Sequence, residues 1–101
     1  MAIYKIADRA QADLREIWRY IGLNDEDNAT RFILELIDKC ILLADNRLIG
    51  TSRTKFGFEI RVFPHKKYLV FYTPIEKGVE IVRILHSARN IKRIFKNSSD
   101  D

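Results

Sequence analysis

Apolar side chains recur at every third or fourth position between residues 29 and 43, and this is the strongest structural pattern in the sequence. Its members are Ala29, Phe32, Ile33, Leu36, Ile37, Cys40 and Leu43. Residues at this spacing share one face of an α-helix. The preceding polar stretch, Asn24 to Asn28, offers N-cap side chains and negative charge where a helix N-terminus favours them. A long helix of this kind must bury its apolar face against another layer of the protein.

An earlier segment predicts a strand followed by a first helix. Ile3 to Ala7 is rich in strand-forming residues, and Asp8 with Gln11 resembles a capping box that opens a helix. Gly22 and Asn24 provide the stop signal. The apolar positions of this helix are Ala10, Leu14, Ile17, Trp18 and Ile21. Because few residues separate the two helices, we expect an antiparallel hairpin laid on an apolar surface.

Three segments in the second half of the chain predict an antiparallel sheet. Phe58 to Phe63 alternates in polarity, Tyr68 to Tyr72 is apolar on both faces, and Val79 to His86 follows a turn. The first segment ends at Pro64 and the second near Pro74. The doubly apolar middle segment should be the central strand, with its second face covered by protein or by a partner.

Together these elements predict an α+β fold of order β-α-α-β-β-β, with the helical hairpin packed on one face of a mainly antiparallel sheet. We expect one domain over residues 1–96, closed by a short basic segment from Ser87 to Lys96, and a disordered tail over residues 97–101. Cys40 should be buried. The residues expected to share one core are Leu14, Trp18, Phe32, Leu36, Ile60, Val70 and Phe71.

Length and composition limit the class of protein. A chain of 101 residues with 47% hydrophobic content can bury a core without disulfides or metal. The lone Cys40 cannot form an internal disulfide, and the two histidines match no zinc-binding spacing. The apolar runs are far shorter than the ~20 residues that span a bilayer, and no signal-peptide block is evident. We therefore expect a cytoplasmic protein without metal, cofactor or membrane contact.

Charge is unevenly distributed along the chain. Residues 1–46 hold six basic and nine acidic side chains, whereas residues 47–96 hold twelve basic and three acidic ones. The formal net charge is +4. A basic field of this kind attracts nucleic acid or an acidic protein.

Few residues are arranged for catalysis. The sequence has no glycine-rich phosphate loop and no nucleophile elbow, and Ser87 beside His86 lacks an orienting acid. A metal-independent ribonuclease needs a base, an acid and cations on the phosphate. Its candidates are Glu59, Arg61, Arg83 and His86. Arg83 and His86 must diverge on a strand unless a bulge intervenes. Arg61 and Arg83 each lie inside an apolar strand and need a carboxylate, a backbone oxygen or a partner molecule.

The order of several short motifs resembles the ParE branch of the ParE/RelE toxin superfamily, over roughly residues 3–91. The motifs are Ala10-x-x-Asp13-Leu14-x-x-Ile17-Trp18-x-Tyr20-Ile21, Ala29-x-x-Phe32-Ile33, Cys40-x-x-Leu43-Ala44, Gly50, Ile60-Arg61-x-Phe63-Pro64-x-x-x-Tyr68-x-x-Phe71-Tyr72, and Val82-x-Ile84-Leu85-His86-x-Ala88-Arg89-Asn90. The resemblance implies a helical hairpin packed on an antiparallel sheet, in agreement with the periodicity.

The resemblance also implies a toxin of a bacterial type II toxin-antitoxin pair, held in a hetero-oligomer by a ParD-like antitoxin. ParE-like members poison DNA gyrase, whereas RelE-like members cut messenger RNA on the ribosome. We expect a gyrase-directed, non-enzymatic toxin that makes no sequence-specific contact with nucleic acid. A ribosome-dependent endoribonuclease is the alternative, and a non-toxic interaction module that kept the fold is a third possibility.

Two sets of residues follow from these alternatives. The residues expected to bind partners are Arg61, Arg83, His86, Arg89, Lys92 and Arg93. The residues expected to act in the ribonuclease alternative are Arg53, Lys55, Arg61, Arg83 and His86.

Overall fold

A computed structural model describes residues 2–53, 59–89, 91, 93 and 94 of the chain. Along these residues the chain forms β1 (Ile3–Ile6), α1 (Asp8–Gly22), α2 (Glu26–Asp45), β2 (Thr51–Ser52), β3 (Arg61–His65), β4 (Tyr68–Ile75) and β5 (Gly78–His86). The α+β architecture and the predicted order of elements are confirmed. The exception is β2, which was not predicted because two exposed residues carry no periodic signal.

The strands form one sheet of order β1-β5-β4-β3-β2. β1 pairs with β5 in parallel, and every other neighbouring pair is antiparallel. β4 therefore occupies the centre of the sheet, as its apolar residues on both faces predicted. The helical hairpin carries the chain from β1 at one edge of the sheet to β2 at the opposite edge. β1 is therefore not joined to β5 by a hairpin turn, and the two strands can pair in parallel.

The two prolines lie inside strands rather than at their ends, which corrects the predicted boundaries. Pro64 belongs to β3, opposite Leu69, and Pro74 belongs to β4, opposite Val79. The described part of β2 pairs with β3 only at Arg61 and Val62, so Pro64 lies opposite β4 alone. The pairing of β3 with β4 ends at Tyr72, so Pro74 lies opposite β5 alone. Each proline therefore has a paired strand on one side only, so its missing N–H need not interrupt a ladder.

The two helices begin differently. The Asp25 side chain accepts a hydrogen bond from the Asn28 amide at the start of α2, over 3.1 Å, which confirms the predicted polar cap. The capping box predicted for α1 is wrong. Ala7 occupies the N-cap position without a side-chain bond, and Asp8 is already helical. Gln11 instead donates from Nε2 to the Ile6 carbonyl, 2.9 Å away.

The sheet separates two apolar clusters, so the single core predicted from sequence is wrong. Between the helices and the sheet lie the buried side chains of Phe32, Leu36 and Val70, with Leu14 packed against them. Cys40 is buried in this cluster, as expected. Ile60 and Phe71 point to the opposite face, because successive side chains of a strand alternate.

The second cluster is covered in part by the C-terminal segment. Ile60, Val62, Phe71 and Leu85 are buried there, and Ile91 and Ile94 pack against them. Residues 91, 93 and 94 are helical. The second apolar face of the central strand is therefore covered by the chain's own residues, one of the two arrangements that the sequence left open.

Trp18 is 40% exposed, which corrects its assignment to the core. Its indole lies at the outer side of the contact between α1 and α2, where Nε1 donates to Thr30 Oγ1 over 3.2 Å. The apolar spacing places Trp18 beside Leu14 on the helix, but the indole lies on the flank of the hairpin and not beneath it. The helical hairpin is unaffected, because Phe32 carries the packing against the sheet.

Two leucines of α2 provide a matched test of the packing. Leu36 is fully buried and Leu34 is 59% exposed. Leu36→Ala should lower the free energy of unfolding by about 2–5 kcal/mol through lost burial and a residual cavity. Leu34→Ala should change it by no more than about 0.5 kcal/mol. Urea titrations followed by circular dichroism measure both values, and similar losses for the two variants would contradict this arrangement of α2.

Candidate functional site

Asp13 on α1 and Arg83 on β5 form a two-point ion pair between the helical layer and the sheet. Arg83 Nε donates to Asp13 Oδ2 over 2.8 Å, and Nη2 donates to Oδ1 over 3.0 Å. The side chain of Asp13 is only 11% exposed and that of Arg83 only 12%. The Ile84 amide donates a third hydrogen bond to Asp13 Oδ2, over 2.8 Å. The Arg83 guanidinium thus has an internal carboxylate as its partner.

This contact lies just beyond the end of β1. The pairing of β1 with β5 runs from Gly78 to Ile81, and the Ala7 amide then donates to the Ile81 carbonyl over 2.9 Å. After Ala7 the chain turns into α1 and leaves the edge of the sheet. Beyond Ile81, β1 no longer pairs with β5, and the Ile84 amide donates to the Asp13 carboxylate instead of to a neighbouring strand.

A β-bulge occurs at the same level of β5. Tyr72 pairs with Ile81 whereas Phe71 pairs with Arg83, so Val82 is the extra residue. A bulge bends its strand and increases the local twist. It lies before Arg83 and not between Arg83 and His86, whose alternation is regular. The bulge therefore does not bring the two candidate catalytic side chains onto one face.

A groove of about 460 Å³ separates the second half of α1 from the end of β5. Its lining residues are Asp13, Glu16, Ile17, Tyr20, Tyr68, Ile84, Leu85, His86 and Arg89. Tyr20 is 71% exposed at the groove's rim. Burial raises the pKa of the Tyr68 phenol, and the nearby Tyr20 adds to the rise. Tyr68 therefore stays a neutral hydroxyl at physiological pH.

His86 and Arg89 are the two predicted partner-binding residues that share this groove. The His86 ring meets the Tyr68 ring edge to face, with centroids 5.2 Å apart. His86 Nδ1 accepts a hydrogen bond from the Ala88 amide over 3.0 Å, which leaves Nε2 as the nitrogen available to a ligand. Arg89 is exposed and forms no ion pair with any described residue.

Arg61 is engaged at the other side of the sheet. Its Nη1 donates to the carbonyls of Gly50 and Leu48, over 2.7 and 3.2 Å, and Nε donates to Glu59 over 3.3 Å. The Tyr72 hydroxyl completes this connection, because it accepts from the Gly50 amide over 2.8 Å. Arg61 therefore holds the loop between α2 and β2 against the sheet, and its role in partner binding stays a prediction.

The ribonuclease candidates are spread over the sheet. Arg61 lies on β3 and Arg83 on β5, two strands apart, which is about 10 Å between strand axes. Arg53 follows β2 at the far edge and is exposed. Lys55 and Lys92 lie outside the described residues, and Arg93 is exposed. Among the described candidates, only His86 and Arg89 share a concave surface, and Arg83 is joined to that surface through Asp13.

A further titratable cluster was not predicted. Glu35 on α2 accepts hydrogen bonds from His65 Nε2 over 2.9 Å and from Lys66 Nζ over 3.0 Å. Both hydrogen bonds lower the pKa of Glu35, and the one from Lys66 has the larger effect. These contacts join α2 to the turn between β3 and β4. No sequence signal links residues thirty positions apart on different elements, so the cluster could not be found by spacing.

The described residues give little support to thiol chemistry, metal binding or a membrane-spanning helix. Burial raises the pKa of the Cys40 thiol to about 11, so the thiolate needed for nucleophilic attack is scarce near neutral pH. No group of three or more histidine, cysteine, aspartate or glutamate side chains in the described ranges could hold a metal ion. The described helices include none that is long and apolar enough to cross a membrane.

The described residues form a small α+β protein with a groove at one edge of its sheet. The family model described as ParE toxin of type II toxin-antitoxin system, parDE, matches residues 4–91. The chain therefore belongs to the ParE toxin family, as its motifs indicated. A comparison with curated proteins gave no significant match.

The fold also matches a solved structure. A chain of the chromosomal ParDE TA system from P. aeruginosa superposes with a TM-score of 0.70 at 20% sequence identity. The match covers 85% of this chain and 96% of that chain. At this identity the likeness shows the fold alone, which is the ParE-like arrangement of two helices on a sheet.

Two acidic residues of α1 test the importance of the Asp13 contact. Asp13→Ala leaves Arg83 buried without a carboxylate and should lower the free energy of unfolding by about 3–5 kcal/mol. Glu16 forms an exposed ion pair with Arg19, with side chains 70% and 68% exposed, so Glu16→Ala should cost less than about 1 kcal/mol. Denaturant titrations of both variants decide the matter. An Asp13→Ala loss no larger than the Glu16→Ala loss would show that the buried pair does not hold α1 to β5.

Proposed function

We propose that this chain is the toxin of a type II toxin-antitoxin pair, that it poisons DNA gyrase, and that a ParD-like antitoxin neutralises it. The observation that carries the proposal is the match of the ParE toxin family model over residues 4–91. The likeness to a chain of a ParDE system supports the same fold. The antitoxin and the toxin would form a hetero-oligomer.

The geometry favours binding over catalysis. A gyrase poison needs only a contact surface, because gyrase itself cleaves the DNA strands. Two of the arginines considered for phosphate binding, Arg61 and Arg83, already donate hydrogen bonds to internal acceptors. A general acid and base must lie within hydrogen-bond reach of one reacting centre. The described candidates on β3 and β5 do not meet this condition.

The exposed cations near the C-terminal segment are the best candidates for the gyrase contact. Arg89 and Arg93 are both exposed, and Ile91 and Ile94 anchor the segment on the second apolar cluster. This arrangement presents positive charge on a fixed support. Rim charges of this kind change association rate and its salt dependence.

A ribosome-dependent endoribonuclease is the second candidate function. The observation that favours it is the groove that holds together the His86 imidazole and Arg89, a cation without an ion pair to any described residue. Such a pair could serve proton transfer and phosphate binding. Of the described residues predicted to act in this alternative, only His86 lines the groove, because Arg53, Arg61 and Arg83 lie elsewhere on the sheet.

Two assays with purified toxin separate these functions. With gyrase, ATP and supercoiled plasmid, the toxin should trap cleaved DNA, and equimolar antitoxin should abolish the effect. With ribosomes bearing messenger RNA, the transcript should stay intact. Cleaved messenger with undisturbed gyrase would contradict the proposal and move the function to Arg53, Lys55, Arg61, Arg83 and His86.

A charge-reversal pair then tests the gyrase contact. Arg93→Glu should raise the toxin concentration needed for half-maximal trapping by about tenfold, the equivalent of ~1.4 kcal/mol of lost binding. Arg9→Glu is the matched control, because Arg9 is an exposed arginine at the start of α1, distant in sequence from the segment. Equal effects of the two substitutions would show only a general charge effect and would remove Arg93 from the contact.

A further inference from the structure

Helix α2 carries a second apolar stripe beside the one that packs on the sheet. Leu36 and Cys40 lie on the packed side and are fully buried. On the outer side, Leu34 is 59% exposed and Ile41 is 47% exposed. The outer stripe consists of Thr30, Leu34, Ile37 and Ile41. Their spacings of four, three and four residues are those of the apolar positions in a heptad, the pattern by which one helix packs along another.

The outer stripe is complementary to an antiparallel copy of itself. A twofold axis level with residues 35 and 36 places Leu34 opposite Ile37 of the second copy. The same axis places Thr30 opposite Ile41 of the second copy. One symmetry operation therefore covers the whole stripe in both copies, with apolar side chains facing each other in successive layers.

Charged side chains beside the stripe have the same symmetry. Arg31 and Asp38 are exposed, carry opposite charges and lie seven residues apart, so they follow the same flank of α2. The axis carries Asp38 of the second copy to the level of residue 33, which is about 3 Å along the helix from Arg31. Two equivalent ion pairs would then join the copies. Asp27 and Asp45 are exposed at the two ends of α2, where helices that cross at an angle have diverged.

Helix α1 repeats this distribution of charge. The hydrogen bond from Trp18 to Thr30 sets the two antiparallel helices level at these residues. Asp8 and Arg15 are exposed on α1 and again lie seven residues apart. Counted from Trp18, Arg15 lies level with residue 33 of α2 and Asp8 with residue 40. The axis therefore brings Asp8 of the second copy to within about 3 Å of the level of Arg15.

We propose that the outer face of α2, with the adjoining face of α1, joins two copies of this chain in an antiparallel, twofold-symmetric dimer. A contact between identical chains requires a surface that is complementary to itself, whereas contact with a different protein does not. Trp18, 40% exposed beside Leu14 and Ile33, adds apolar area next to the stripe. The inference does not depend on the proposed function, because it concerns only the contact of the chain with itself.

Sedimentation velocity of the purified full chain tests the dimer. The weight-average mass should rise from that of a monomer to that of a dimer as the concentration increases. Leu34→Glu should weaken the dimer by about tenfold or more, because it places a charge in the apolar stripe. Leu48→Glu is the matched control, since Leu48 is a 67% exposed leucine on the loop after α2. A chain that stays monomeric up to about 1 mM, or equal losses for the two variants, would overturn the proposal.

A charge-reversal experiment tests how the two copies are arranged. Arg31→Glu and Asp38→Arg each bring like charges together in the dimer, so each variant alone should dimerise about tenfold more weakly or worse. Both positions are exposed, so circular dichroism should show native helix content in each variant. An equimolar mixture of the two variants should recover the original affinity, because both contacts of the mixed dimer then join opposite charges.

Two results of these experiments contradict the dimer. A mixture that associates no more tightly than either variant alone overturns the twofold arrangement and with it the proposal. Loss of gyrase trapping by Leu34→Glu, in a chain that is monomeric at every concentration, would assign the outer face to gyrase and overturn the proposal while leaving the proposed function intact.

Discussion

Three hydrogen bonds converge on the carboxylate of Asp13, and the relation between α1 and the sheet depends on them. Two come from the Arg83 guanidinium and one from the Ile84 amide. Removing one partner of such a buried pair leaves an uncompensated charge, which is why its geometry is strongly enforced. The contact lets β1 end after four residues while the rest of the β5 edge stays next to α1. The groove between α1 and β5 adjoins this contact, because Asp13 is one of its lining residues.

The basic second half of the chain is less available to partners than its charge suggests. Arg47 donates to the Ile75 carbonyl, Arg61 to the loop after α2, and Arg83 to Asp13. Each guanidinium crosses from one element to another and satisfies an acceptor that would otherwise need water. Net charge alone therefore overstates the binding surface. Exposed cations such as Arg89 are better candidates for partner contacts, because Arg89 has no ion pair within the described part of the chain that would have to break.

Patterns local in sequence predicted much of the fold. The helical stripe of residues 29–43 and the doubly apolar Tyr68 to Tyr72 segment located α2 and the central strand, since periodicity directly reflects which face is buried. Trp18 was wrongly assigned to the core because spacing gives only the angular position of a side chain on the helix. It does not tell how far the neighbouring helix and sheet extend to cover that position. The division into two clusters escaped prediction for a related reason. Apolar residues such as Val70 and Phe71 look alike in sequence although they face opposite sides of the sheet.

The site itself was harder to predict. The motifs located His86 and Arg89, but Asp13 resembled any acid on the polar side of a helix. Its partner Arg83 is seventy residues away, and no single-sequence spacing joins them. For the same reason the sequence did not show which part of the β5 edge has no neighbouring strand, because this depends on where β1 ends and where the bulge falls. Long-range pairing of this kind is a property of the folded chain, and a single sequence does not display it.

Amide exchange at Ile84 in the free protein tests most directly whether the Asp13 carboxylate covers the edge of β5. Asp13→Ala should accelerate exchange at Ile84 by about a hundredfold relative to Val70, a reference amide on the central strand that reports any general loss of stability. Val70 is fully buried, so it follows the opening of the whole domain. The account predicts a selective loss of protection at Ile84. Equal acceleration at both amides, or none at Ile84, would contradict it.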